Sequence, residues 1–532
     1  MKKLFSLLIA LVSVFSLNTI VKADTYINVS DLTSSTNNKD YSAVKNYDSL
    51  DSFTNDYKNN NLPDVYVTKF LFDGVSSVKS PDLDDFIDAS SNNTKITTLE
   101  ITVINIKSTG NYYLSGTIKG AMVAVNTNGI KGNINIYLNG VNIDTDSKKA
   151  PAIFVYNKDK NYTDCKVTIK TVKNTKNYVE GGKLKKVSLI GSDELSKYSS
   201  YYKDDALTNY NNYTKYYGIY TSSEISNILF ATVQADNEDL SDGDPYYFYK
   251  GSGAISSDID IYFEGEGFLK VTSKNKEGIE SKGNIEFSGG TGDYEIYSQD
   301  DCINTTTANS SGTTVRNDLT INVSSLLAIV DANADEGDAI DSNGKLYLNG
   351  GTVIAIAHPI SADSGIDAET GIYINGGTVL ATGNMFDSMS SDSKQKYIAV
   401  QFNGSITENT LIVIKDQDDK VITAFKTSRA IKTLVYSDSS LNYNSFKIYT
   451  GGEITGDESN GLYTNITSYT GGTEVSYNSM NNMINNNTNN NISNNNNNFI
   501  LKLLIGECSI LGIVILFVVL SNIFKKNKTQ EI

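Results

Sequence analysis

Glu277-Gly278-Ile279-Glu280-Ser281-Lys282-Gly283-Asn284-Ile285-Glu286-Phe287-Ser288-Gly289-Gly290-Thr291 is one repeat of the pattern that decides the fold. It opens on a small residue, an isoleucine and an acid, continues as the alternating run Ile285-Glu286-Phe287, and closes on a glycine corner. The opening phrase returns as Gly253-Ala254-Ile255-Ser256, Asp301-Cys302-Ile303-Asn304, Asp338-Ala339-Ile340-Asp341 and Ser364-Gly365-Ile366-Asp367. Its small residue stands at positions 254, 278, 302, 339 and 365, so the spacings are 24, 24, 37 and 26 residues. A steady period with one insertion marks a stacked repeat architecture.

Alternation recurs after each phrase, in Ile259-Asp260-Ile261, Leu319-Thr320-Ile321, Leu346-Tyr347-Leu348 and Ile372-Tyr373-Ile374. Such alternation specifies a half-buried strand. Beyond the corners Gly350-Gly351-Thr352 and Gly376-Gly377-Thr378 lies a third short apolar segment, such as Val353 to Ile356. Three short strands per period without helical patterning predict an all-β, right-handed parallel β-helix with three strands per coil. Equivalent residues of successive coils then stack about 4.8 Å apart. Downstream, Thr410 to Ile414, Val421 to Phe425, Thr433 to Tyr436 and Ser445 to Tyr449 alternate with turns and predict a small antiparallel β C-terminal cap.

The column Ile255, Ile279, Ile303, Ile340, Ile366 is core, and Cys302 shares the small-residue column as a packed thiol. Two flanking columns carry charge: Gly253, Glu277, Asp301, Asp338, Ser364 on one side and Ser256, Glu280, Asn304, Asp341, Asp367 on the other. Asp300, Asp335, Glu336 and Asp363 crowd the same turn. Like charges at strand spacing repel unless neutralised. Oxygen-only ligands of irregular geometry suit calcium better than magnesium. The predicted Ca2+ ligands are therefore Glu277, Glu280, Asp300, Asp301, Asn304, Asp338, Asp341, Asp363 and Asp367; the alternative is a solvated ionic edge with no ion.

The net charge of −16 over 532 residues leaves no basic face for phosphates, so neither nucleic acid nor nucleotide is an expected partner. Three cysteines are too few for a disulfide framework. The single histidine, His358, followed by Pro359, provides neither a histidine zinc site nor a redundant triad and reads as a turn residue. No catalytic residue is assigned.

Met1-Lys2-Lys3, the apolar run Leu4 to Leu17 and the exit Val21-Lys22-Ala23 read as a signal peptide over 1–23. Segments 24–100 and 101–397 read as an N-terminal extension and the solenoid, 398–477 as the cap, and 478–498 as an Asn-rich linker. Residues 499–524 are mostly apolar, interrupted by Lys502 and Glu507, and are followed by basic residues in the tail 525–532. They read as a membrane span with the repeats outside, giving a single-pass cell-surface protein; a buried hairpin or removed sorting tail is the alternative. Near 196–250 the period dissolves into a Tyr-rich insertion. Tyr216, Tyr217, Tyr246 and Tyr247 there are candidate sugar-stacking rings, or rings that pack the loop onto the wall.

Gly110-Asn111-Tyr112-Tyr113-Leu114-Ser115-Gly116-Thr117, Leu138-Asn139-Gly140-Val141-Asn142-Ile143, the Ala/Gly-Ile-Asp/Glu phrases and the tail from Ile412 to Gly452 together resemble calcium-binding, β-helical carbohydrate-binding domain proteins of anaerobic cellulose degraders, related in fold to pectate lyases. That resemblance implies binding of plant cell-wall polysaccharide, cellulose or acidic pectin type, with calcium at coil turns and no established catalysis. The family's paired Asp-Asp survives here only at Asp300-Asp301. Two other readings stand beside it: a calcium-dependent polysaccharide lyase, with Lys274, Lys276 or Lys282 as base, and a surface adhesin or structural rod.

Overall fold

The computed structural model describes residues 24–32, 44–47, 56, 59, 61–68, 97–98, 101–127, 129–148, 150–157, 164–182, 232–233, 253–310, 313–441 and 445–480. The predicted signal peptide, almost all of the Tyr-rich insertion, the Asn-rich linker beyond 480, the apolar span 499–524 and the tail lie outside them. Among the described residues no helix is long and apolar enough to cross a membrane.

The strands follow from alternation. In Gly132–Asp144, Ile134, Ile136 and Leu138 are buried while Asn135, Tyr137 and Asn139 face outward. The repeat phrase builds a ladder that runs Thr102–Ile106, Ala121–Asn126, Ile153–Tyr156, Ile255–Ser257, Ile279–Ser281, Ile303–Thr305, Ile340–Ser342 and Asp367–Ala368. These strands are parallel, with Val123, Ile153, Ile255, Ile279, Ile303 and Ile340 in register. Ile153–Tyr156 and Ile255–Ser257 are direct neighbours, so the chain between them leaves the ladder and returns to the next rung.

The expected right-handed parallel β-helix with three strands per coil is corrected. Gly132–Asp144 and Leu319–Val330 each run on where the repeat predicts separate strands, pairing with one neighbour along their first half and a different one along their second. Their hydrogen bonds close a second set of strands, distinct from that ladder, into an eight-stranded parallel barrel of Gly132–Asp144, Cys165–Thr171, Ile261–Gly265, Ile285–Phe287, Leu319–Val330, Asp293–Ser298, Phe268–Ser273 and Lys176–Gly181. Leu319–Val330 makes its bend at a register shift between Ile321 and Ser325, and in Gly132–Asp144 the physical reason is glycine. Gly140 takes φ 75°, which bends the strand without ending it, and the buried Asn177 Oδ1 accepts the Gly140 and Val141 N–H groups at 2.8 and 3.1 Å. Inside the barrel, Phe263 and Phe287 stack at 4.6 Å, with Tyr294 set edge-on to both.

Beyond the last parallel rung the direction reverses. Ile431–Ser437 pairs antiparallel with Thr378–Gly383 and with Ile398–Ile406. A six-stranded antiparallel sheet, built around Leu411–Asp416 and Val421–Lys426, packs Ile412, Ile414 and Phe425 into one cluster with Ile354 and Leu380. Thr433 to Tyr436, expected within that cap sheet, belongs instead to the strand that ends the parallel ladder. The half-buried Arg429 pins the junction, donating from Nη1 to the carbonyls of Val330 and Ala357 at 2.6 and 3.0 Å.

Candidate functional site

Pairing on the ten-stranded sheet places Ser256, Glu280, Asn304, Asp341 and Asp367 in one column. Each rung's acids reach into the next. Asp301 Oδ1 accepts the Asp338 N–H at 2.8 Å, Asp338 Oδ1 accepts the Ser364 N–H, and Asp363 Oδ2 accepts the Gly337 N–H at 2.8 Å. Asn304 Nδ2 donates to Asp301 Oδ2 at 2.6 Å.

Asp301, Asp338, Asp341 and Asp367 lie close enough to raise one another's proton affinity. Burial, and then the Asp301 and Asp367 charges, push Asp338 up to about 9. Asp341 rises to about 8 through burial and the charges of Asp301, Asp367 and Asp387. Burial and Asp300 raise Asp301, and burial and Asp387 raise Asp367. Glu277, one rung earlier, is raised well above the usual carboxylate range by burial and by Glu280, against the opposing charge of Lys276. Asp300 stands to one side in an ion pair with Lys276, and Asp363 accepts from the Ser361 hydroxyl. Glu280, a member of the column, is buried.

Asp387 is the acid that sequence reading missed. It lies past the last glycine corner, where its Oδ2 accepts the Ala368 N–H at 2.8 Å and so occupies the place of a further rung. Its separation from Asp367 falls short of one period, so the repeat carries no signal for it.

Two buried acceptors in the cluster, Glu277 Oε2 and Asn304 Oδ1, have no hydrogen-bond donor. Among the described residues no three His, Cys, Asp or Glu side chains converge into a ready-made metal cage. The donor set is carboxylate and amide oxygen, crowded, repelling and partly without donors. In kind it fits a hard cation such as calcium, which accepts many oxygens, waters included.

The three lysines weighed as bases are all engaged. Lys274 pairs with Glu180 and Asp146, and Lys282 pairs with Asp258 at 2.5 Å. Burial of Lys276 lowers its proton affinity, but Glu277, Asp300 and Asp301 outweigh that and raise it above its ordinary value. Each is held as a cation, the wrong state for removing a proton. Arg316 pairs with Glu369 at 2.8 Å. Cys302 is fully buried, its thiol pushed up to about 12 by burial. His358 is buried in its turn, with Nδ1 accepting the Ser361 N–H at 3.1 Å. Tyr216, Tyr217, Tyr246 and Tyr247 lie outside the described residues.

A family model described as carbohydrate-binding domain-containing protein matches residues 100–207 and 219–445, a stretch that contains the barrel and the acid column. A solved structure, the polysaccharide lyase-like protein from C. thermocellum in a gadolinium derivative, is 15% identical, covering 52% of this chain and 85% of that chain. Its TM-score of 0.28 is too low to carry an argument. No curated protein matches.

Proposed function

This chain belongs to the family of carbohydrate-binding domain-containing proteins, and from that premise we propose that it is a non-catalytic binder of plant cell-wall polysaccharide, cellulose or acidic pectin type, assisted by calcium. One observation carries the calcium part: Asp301, Asp338, Asp341, Asp367 and Asp387 are set against one another with no cationic side chain among the groups that shift Asp338 and Asp341. A divalent ion relieves that repulsion, and Glu277 Oε2 and Asn304 Oδ1 are acceptors at hand for it. Water or glycan oxygens complete such a shell, and a uronate carboxylate sharing the ion lets an acidic protein hold an acidic polymer. The paired state of Lys274, Lys276 and Lys282 favours binding over lyase chemistry. The leader-like 1–23 and the apolar 499–524 support export and attachment at the cell surface.

Retention of the protein on insoluble cellulose and on polygalacturonate, with and without chelator, tests the proposal. Retention on at least one polymer, weakened by chelator, is expected. Failure to retain either polymer sinks the binding function. Retention that chelator leaves unchanged, together with no heat of calcium binding at millimolar ion, removes calcium from it.

A further inference from the structure

We infer that a second glycan-binding surface lies on a different sheet from the acid column: a tyrosine and asparagine wall on the outward face of the strands that extend that sheet beyond the barrel strand Gly132–Asp144. Tyr26, Tyr113 and Tyr137 sit in register on adjacent parallel strands, Thr25–Asn28, Gly110–Lys119 and Gly132–Asp144. Alternation turns Tyr112, Leu114, Ile136 and Leu138 into the core and leaves these three rings outside. The rings stack at 4.8 Å and 18° and at 4.3 Å and 9°, and Tyr26 at the end of the row is 63% exposed. Lys170 continues the row, 5.7 Å from the Tyr137 ring and ion-paired with Glu264 at 2.9 Å. Two residues earlier on each strand runs a parallel amide row, in which Asn135 Nδ2 donates to Asn111 Oδ1 at 2.8 Å and Asn111 Nδ2 to Asp24 Oδ1 at 2.9 Å.

The core beneath is complete without these rings; cross-strand stacking accounts for the half-buried Tyr113 and Tyr137, and leaves the open face of Tyr26 to solvent. Because the inner rings face one another, the wall offers phenol edges, hydroxyls and amides, with one open ring face at Tyr26. These repeat across the strands about every 4.8 Å. An extended β-linked sugar chain lying along the ladder advances by nearly that distance per sugar, and would meet the same hydroxyl and amide set at each step. A lipid or an apolar peptide gains little from such a surface. Lys170 and Glu264 neutralise each other and Asp24 ends the amide row as an acid, so the wall carries no net positive charge to select a uronate. The ligand class of this wall is therefore a neutral, extended β-glucan, distinct from whatever the ions of the acid column hold. This inference rests on the reading of the chain as a polysaccharide binder.

Affinity electrophoresis of the full chain through gels containing hydroxyethylcellulose or polygalacturonate separates the two. Tyr26→Ser and the double variant Tyr113→Ser/Tyr137→Ser should bind the neutral glucan about tenfold more weakly than wild type, at unchanged melting temperature for Tyr26→Ser. Wild-type retardation with equal retardation of folded Tyr26→Ser and double variants overturns the wall. So does a loss confined to polygalacturonate. If the double variant fails to fold, Tyr26→Ser alone decides, since its ring is the most exposed of the three. A wild-type protein retarded by neither gel topples the binding function itself, a result distinct from a failure of the wall.

Discussion

Asp341 shows in one side chain how these acids behave. It faces Asp301, Asp367 and Asp387, and burial and their charges hold its proton on to about pH 8. At pH 9 without calcium it is ionised among like charges. Asp341→Asn, which keeps the shape and removes the charge, should then stabilise the calcium-free protein by about 1–2 kcal/mol and reduce the rise in melting temperature that calcium produces. Melts at pH 9 in chelator and in calcium check both. A variant less stable than wild type in chelator would show that repulsion does not govern the column. At this scale the sequence was a good guide: the period put Glu280, Asn304, Asp341 and Asp367 in one column, and the strands pair them so. Asp387 escaped because it sits on a loop outside the repeat, where no alternation announces its direction.

At the scale of elements, the glycine corners were legible as corners and misread as ends. Leu346–Ile356 passes through Gly350 and Gly351 and stays paired on both sides, with Ile372–Ile374 and with Thr378–Gly383. Glycine composition reports that a chain turns; it does not report whether the hydrogen bonds survive the turn, and that difference joins two ladders into a closed barrel. Gly351 adopts φ 88°, and a Cβ there would stand 2.1 Å from the Val323 carbonyl oxygen; the Gly377 Cβ would stand 2.4 Å from the Gly351 carbonyl oxygen. Corner therefore lies on corner at backbone contact. Gly351→Ala should cost about 2–4 kcal/mol, read from denaturant midpoints. Gly404→Ala, where nothing lies within 4 Å, should be within about 0.5 kcal/mol of wild type and serves as the control.

For the whole molecule, the acids make stability run against the usual direction with pH. Folding raises Asp301, Asp338, Asp341 and Asp367 above their unfolded values, to between about 7 and about 9. Between the usual carboxylate value and those raised values the folded chain holds protons the unfolded chain has released. The stability they contribute is fully present below the unfolded value and is lost as pH rises through the folded ones. The calcium-free protein should therefore melt at a lower temperature at pH 9 than at pH 5.5, by an amount on the order of 2–4 kcal/mol in free energy. Calcium should flatten that slope, since the ion takes the place of the protons. Melting temperatures in chelator that are equal or higher at pH 9 would contradict the arrangement of the column.

The parallel ladder also sets the order in which the chain can assemble. No two of its neighbouring strands can be joined by a tight turn, because parallel partners need a crossover between them. Among the described residues, short-range pairing occurs in hairpins such as Ala308–Ser310 with Thr313–Val315, Leu411–Asp416 with Val421–Lys426, and Glu453–Ser459 with Leu462–Thr470. Two of these three lie near the C-terminal end of the described chain, and Ile431–Ser437 beside them pairs with the last parallel rung. Synthesis delivers the N-terminal rungs first, yet the segments able to pair at once arrive last. The N-terminal rungs can pair only by closing whole crossovers, so their assembly carries the larger loop-closure cost.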